Sequence, residues 1–111
     1  MPIIITAEET TITRQGEGWT EFTLVDQKSA SAPPMVARRW VLEPNARGPE
    51  LVQGDADQLL YVIRGSGQAI VDGQEFELDP ESVLWLEPGE QYRFTAAETG
   101  LEILQGYAAG A

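Results

Sequence analysis

The chain has 111 residues, 42% of them apolar, and a formal charge of −11 from 18 acidic and 7 basic side chains. That length and composition fit one globular domain with a single core, and the acidity argues against nucleic acid or an anionic membrane surface as partner. The absence of cysteine and histidine excludes disulfides, thiolate sites, the commonest metal ligand and the usual acid–base group of neutral pH.

Residues 2–6 read as a short strand, because Ile3, Ile4 and Ile5 favour extended structure. The first nine residues lack the basic flank and apolar core of a signal peptide, and no run reaches the roughly 20 apolar residues of a membrane helix. A cytoplasmic location is therefore expected. Residues 8–14 form a second extended piece, and Gln15, Gly16, Glu17 and Gly18 a turn. Residues 19–25 are a strand whose alternation sets Phe22 and Leu24 on one face and Glu21 and Thr23 on the other. A loop over 28–34 leads to a strand over 35–43, which groups Arg38, Trp40 and Leu42 on one face.

After the stop at Pro44 and Asn45, residues 50–53 are short and extended and 54–57 a turn. Strands are expected near 58–64, 68–72, 74–78, 83–87, 91–95 and 101–107. Gly65, Ser66 and Gly67 read as a hairpin turn, and Thr99 and Gly100 open the last strand. Asp72-Gly73 is a two-residue hairpin signal that pairs Val71 with Gln74 and Ala69 with Phe76. No window of helical length carries a 3.6-residue period, so the chain is expected to be an all-β sandwich or barrel. The expected division is 1–35 as N-terminal strands, 36–107 as barrel and 108–111 as tail.

The spacing of Asn45, Leu51, Gln53, Gln58 and Gly65 resembles the first motif of the cupin family: glycine, five residues, His-x-His, three or four residues, glutamate, six residues, glycine. The second motif, glycine, five residues, Pro-x-Gly, two residues, histidine, is matched by Glu81, Glu87, Gly89 and Tyr92. The resemblance implies a single-domain double-stranded β-helix, the jelly-roll barrel of small cupins, and a homodimer. Where metal-dependent cupins carry three histidines and a glutamate, this chain carries Leu51, Gln53, Gln58 and Tyr92. Leucine has no donor atom and glutamine offers a neutral carbonyl, a poor ligand for transition metals. No metal and no other cofactor is therefore expected. The acids Glu50, Asp55 and Asp57 lack a calcium-loop pattern and read as a solvated turn.

The barrel sends Leu51, Gln53, Gln58, Leu60, Val62, Tyr92 and Phe94 inward. Gln53, Gln58 and Tyr92 then line an apolar cup, with Arg38 and Trp40 either at the cup or on an outer, partner-facing surface. Trp19, Trp40 and Trp85 are expected in core or interface packing, and Arg64 and Arg93 as exterior charge partners. Amides and a phenol suit a small neutral or polar ligand, sugar-like or hydroxylated. The alternatives are a metal-free isomerase, epimerase or cyclase with Tyr92 as acid, and a structural or dimerisation module with a vestigial pocket. A carboxylate such as Glu50 or Glu87 pointing into the cup would favour the enzyme. Dimer formation is expected to involve strand 2–6, too apolar for a free edge.

Overall fold

The computed structural model describes residues 10–25, 35–52, 54 and 56–108. Strand 2–6, the loop over 28–34, Gln53, Asp55 and the last three residues lie outside them. Eight strands follow in order: β1 (Thr11–Gly16), β2 (Trp19–Val25), β3 (Met35–Leu42), β4 (Leu51–Val52), β5 (Gln58–Val71), β6 (Gln74–Leu78), β7 (Val83–Leu86) and β8 (Gln91–Ala108). All pairings are antiparallel, in the order β1-β2-β3-β8-β5-β6, with β4 added to β8 and β7 to β5. No helix occurs among the described residues, so none there is long and apolar enough to cross a membrane.

Two long bent strands set the architecture. The first part of β5 pairs with the last part of β8, Gln58 opposite Tyr107, and the last part of β5 with the first part of β8, Val71 opposite Tyr92. The bend falls at Gly65, Ser66 and Gly67, where sequence reasoning put a hairpin turn. The chain runs through this stretch as one strand with a register shift, because the glycines let two backbones close. A Cβ on Gly65 would stand 2.1 Å from the Gly100 carbonyl oxygen, and one on Gly67 equally close to that of Thr95. The predicted strands near 91–95 and 101–107 likewise fuse into β8, which bends at Gly100 with φ of 77°.

The hairpin at Asp72 and Gly73 forms as expected, with φ of 49° and 83°, and pairs Val71 with Gln74 and Ala69 with Phe76. All four positions at which the resemblance places a motif glycine have positive φ: Asn45 at 61°, Gly65 at 83°, Glu81 at 68° and Gly89 at 85°. The left-handed backbone is kept where two of the glycines are not, at a cost of roughly 1–2 kcal/mol for a residue such as glutamate. Glu81 is held there by backbone bonds on both sides: its N–H donates to the Val62 carbonyl at 2.9 Å, and the Val62 N–H to that of Ser82 at 2.9 Å.

The core sits between the halves and includes Trp40, Leu60, Val62, Leu86, Phe94 and Ile103, each no more than 2% exposed. The two faces expected for β2 separate as predicted, and it is the Glu21 face that turns inward: Glu21 is 1% exposed and sits opposite Trp40, whereas Phe22 lies on the other face with the Arg39 guanidinium 4.6 Å from its ring centre. The pair Phe22 and Leu24 looks like a core face by hydropathy, but Trp19, which has the parity of Glu21, packs on the core instead. Of the two placements expected for Trp85, core or interface, the core is excluded: it is 60% exposed, on an outer surface with Leu59, Val83 and Leu104. Arg64 pairs with Glu102 at 3.2 Å; Arg93 has no ion pair among the described residues.

Candidate functional site

Alternation along three adjacent strands gathers the site. The interior face of β3 carries Val36, Arg38, Trp40 and Leu42; that of β8 carries Leu101, Ile103, Gln105 and Tyr107; that of β5 carries Gln58, Leu60 and Val62. Register places Arg38 opposite Gln105 and Gln58 opposite Tyr107. Polar side chains therefore collect toward one end of the barrel, and apolar ones fill the layers beyond.

The centre of this end is a hydrogen-bond chain. Trp40 Nε1 donates to Gln105 Oε1 at 2.8 Å. Gln105 Nε2 donates to the Tyr92 phenol oxygen at 2.9 Å and also to Gln58 Oε1. Trp40, Gln58 and Gln105 are at most 1% exposed and Tyr92 is 5% exposed, so every bond lies in a low-dielectric setting where a missing partner is costly. One donor lacks a well-formed hydrogen bond among the described residues: Gln58 Nε2, whose nearest polar influence is on the Tyr92 phenol. Burial raises the Tyr92 pKa above its ordinary 10.0, and outweighs the opposing effects of the Gln58 and Gln105 amides and the Arg38 charge. The phenol keeps its proton and can donate it.

Beside this chain lies a charged cluster. Glu21 Oε1 accepts from Arg14 Nε at 3.1 Å, and Glu21 Oε2 stands 3.7 Å from Arg38 Nη1. The two arginines offset the desolvation of a carboxylate that is otherwise shut from water. Each also lies over an aromatic ring: Arg14 is 5.7 Å from the Trp40 ring centre and Arg38 is 5.6 Å from that of Tyr107. Glu21 Oε2 and Arg38 Nε are both buried without a hydrogen-bond partner among the described residues.

Of the residues singled out from sequence, Gln58, Tyr92 and Trp40 come together through Gln105, and Arg38 faces the same interior beside them. Gln53 lies outside the described residues. Sequence reasoning missed Gln105 and Glu21. The signal for Gln105 was present: it continues the alternation of Leu101 and Ile103, so a polar residue stands on an interior face. Glu50 and Glu87 are exposed and do not supply the carboxylate considered for an acid–base pair; Glu21 is the buried one.

Three of the four positions that would hold a metal in a metal-dependent cupin do converge. Leu51 pairs with Tyr92, and Tyr92 meets Gln58 through Gln105. Their donor set does not fit a transition metal: one position has no donor atom, one an amide, and one a phenol whose ionisation burial opposes. Among the described residues no three His, Cys, Asp or Glu side chains group as metal ligands. A cavity of about 160 Å³ lies beside Arg47, Asp72 and Tyr92, smaller than the roughly 300–1,000 Å³ of pockets that hold drug-sized ligands. Larger open clefts lie elsewhere, beside Gln68 and Glu77 and beside Trp19 and Asn45.

Comparison with known proteins bears on this arrangement. Residues 55–107, which include Gln58, Tyr92 and Gln105, match the model of the AraC-like ligand binding domain. No curated protein matches the chain. Among solved structures, KdgF from Halomonas sp. superposes with a TM-score of 0.78 at 14% identity, covering 100% of this chain and 96% of that one. An RmlC-like cupin from Shewanella frigidimarina gives 0.73 at 19% identity, covering 93% and 86%. The polyketide cyclase RemF from Streptomyces resistomycificus gives 0.77 at 18% identity, covering 97% and 80%. At these identities the likeness establishes the fold, and the fold is that of the cupins.

Proposed function

We propose that this chain, a cupin by fold, binds a small neutral or polar hydroxylated molecule inside its barrel and does so without a metal. The observation that carries the reading is the buried chain Trp40–Gln105–Gln58–Tyr92, with the Gln58 amide donor still open. Amides and a protonated phenol orient a ligand by directional hydrogen bonds and need no ion. The match to a ligand-binding domain over 55–107 supports it, as does the poor fit of the donor set to a metal.

Thermal-shift screening against hydroxylated metabolites is expected to raise the melting temperature of the wild type, and less so that of Gln58→Leu. Elemental analysis of the purified protein is expected to find no stoichiometric transition metal. A metal bound one to one would defeat the reading.

A second reading has an observation of its own. The buried carboxylate of Glu21 and the protonated phenol of Tyr92 supply a base and an acid on one interior, the pair that a metal-free isomerase, epimerase or cyclase requires, and a polyketide cyclase shares the fold. Turnover that is lost in both Glu21→Gln and Tyr92→Phe would favour it over binding alone. The reading also includes a cytoplasmic homodimer. The exposed Leu59, Val83, Trp85 and Leu104 support a self-association surface, since contiguous apolar area of this kind marks interaction sites. Sedimentation of Trp85→Asp is expected to show a smaller species than the wild type; equal sizes would remove this surface from the proposal.

A further inference from the structure

We propose that the outer face of the barrel carries a second site, built around Arg47 and Arg93, that takes a small zwitterion of the α-amino-acid class. It lies on the far side of the sheet from the interior described above and stands or falls independently of the barrel reading.

Cations are scarce in a chain of net charge −11, and most of its arginines are committed. Arg14 and Arg38 meet Glu21, and Arg39 and Arg64 meet Glu102. Arg47 and Arg93 are the arginines left without an ion pair among the described residues, and both line the same cavity of about 160 Å³. Strand geometry puts them there. Arg47 bridges Thr95, and Arg93 lies two residues before Thr95 on β8, on the face turned away from the buried Tyr92 and Phe94. The two arginines are thus diagonal neighbours on one outer surface, a spacing that long side chains span. Arg93 is half-buried, and no acceptor among the described residues takes its Nε. Its guanidinium is therefore seated at the cavity without a partner of its own.

Two carboxylates, Glu50 and Asp72, border the same cavity. Among the described residues neither forms an ion pair with either arginine. Asp72 Oδ1 accepts from the Gln91 N–H at 2.9 Å, which ties the carboxylate to the hairpin and leaves Oδ2 for another donor. Such a lining sorts solutes by charge. An inorganic anion gains the guanidinium groups but meets two carboxylates; a metal ion or a simple amine gains the carboxylates but meets two guanidinium groups. A solute with both charges a few atoms apart satisfies both halves. Its carboxylate accepts from the arginines, whose fork suits that group, and its ammonium donates to Glu50 and Asp72. The volume admits only a short molecule. Ile70, paired with Arg93 across the sheet and lining the same cavity, supplies an apolar wall for an aliphatic side chain. Alanine and valine have this form; an amino acid blocked at either end does not.

The test is titration of the isotope-labelled protein with L-alanine, followed in amide NMR spectra at constant ionic strength. Acetate, alaninamide and N-acetylalanine serve as probes that carry one charge only. L-Alanine is expected to shift the backbone resonances of Ile70, Gly73 and Arg93 saturably, with millimolar affinity, and to bind about tenfold more weakly to Arg93→Gln. Each single-charge probe is expected to bind the wild type about tenfold more weakly than L-alanine does. Arg64→Gln removes the same charge from an arginine paired elsewhere, with Glu102, and is expected to leave L-alanine binding unchanged. Arg47→Gln, at an exposed position, carries the test if Arg93→Gln misfolds. Acetate or alaninamide binding as tightly as L-alanine would overturn the ligand class. No saturable shift with L-alanine, or equal weakening in Arg64→Gln and Arg93→Gln, would overturn the site. Shifts confined to the side-chain amides of Gln58 and Gln105 would place the amino acid in the barrel, overturning the outer site while favouring the barrel reading.

Discussion

Inside one barrel, two neighbouring polar groups of residues are satisfied to different degrees. Trp40, Gln105, Gln58 and Tyr92 are tied by three hydrogen bonds made within the chain. Glu21 on β2 and Arg38 on β3 are close enough to attract but leave a carboxylate oxygen and a guanidinium nitrogen unbonded. A closed network repays its desolvation through its own bonds and holds side chains in one arrangement. An open one repays it only through partial charge pairing, and gains most from an outside partner. The first group is therefore the fixed floor of this end of the barrel, and the second is the one that an outside polar partner would stabilise most.

Replacing the floor's central residue should have the largest effect. Gln105→Leu keeps the volume but strips an acceptor from Trp40 Nε1 and donors from Tyr92 and Gln58, leaving buried groups unpaired. A loss of about 3 kcal/mol or more is expected by urea denaturation, at about 1–3 kcal/mol per orphaned group. A loss below about 1 kcal/mol would mean that the network is not the stabilising partner in the comparison. Glu21→Gln should cost less, about 1 kcal/mol, because the amide still accepts from Arg14, and the charges it uncovers, on Arg14 and Arg38, are partly solvated. A loss as large as that of Gln105→Leu would make Glu21 a structural residue.

The legibility of these two groups differed for physical reasons. Asp72-Gly73, the pairing of Ala69 with Phe76, and the inward set of Gln58, Leu60, Val62, Tyr92 and Phe94 follow from turn chemistry and a period of two, which need only local information. The motif spacing survived because it encodes backbone shape: Asn45 and Glu81 hold positive φ without being glycine. The merging of strands through Gly65 to Gly67 was not legible, because a glycine pair marks a turn and a close backbone approach alike, and only Gly100 and Thr95 across the sheet decide between them. The alternation of β2 separates Phe22 and Leu24 from Glu21 and Thr23 but leaves open which of the two faces is buried. The carboxylate goes inside because Arg14 and Arg38 arrive from the strands on either side of β2, which no local pattern of that strand reveals.

Alkaline titration sharpens the comparison at Tyr92. Its folded pKa lies above the ordinary 10.0 because burial disfavours the phenolate. The unfolded chain therefore loses this proton first as pH rises, and the stability that the protonated phenol contributes is complete below pH 10 and is lost as pH climbs from there through the raised folded value. Tyr92→Phe should lower stability at neutral pH by about 1 kcal/mol and flatten that alkaline decline. A decline of equal slope in the variant would place its origin in other groups.

The smallest effect is expected at Gln58, and it separates the two roles within a single side chain. Its Oε1 belongs to the closed network, accepting from Gln105, while its Nε2 is open. Gln58→Met removes one hydrogen bond and, with it, one unpaired buried donor, so the gain and loss nearly cancel and stability should change by less than about 1 kcal/mol. Gln105 Nε2 keeps the Tyr92 oxygen as acceptor, so the remaining network need not rearrange. If the open amide is there for a ligand, the same substitution should reduce the ligand-induced rise in melting temperature while leaving the free protein's almost unmoved. Destabilisation of the free protein comparable to that of Gln105→Leu would place Gln58 wholly in the floor.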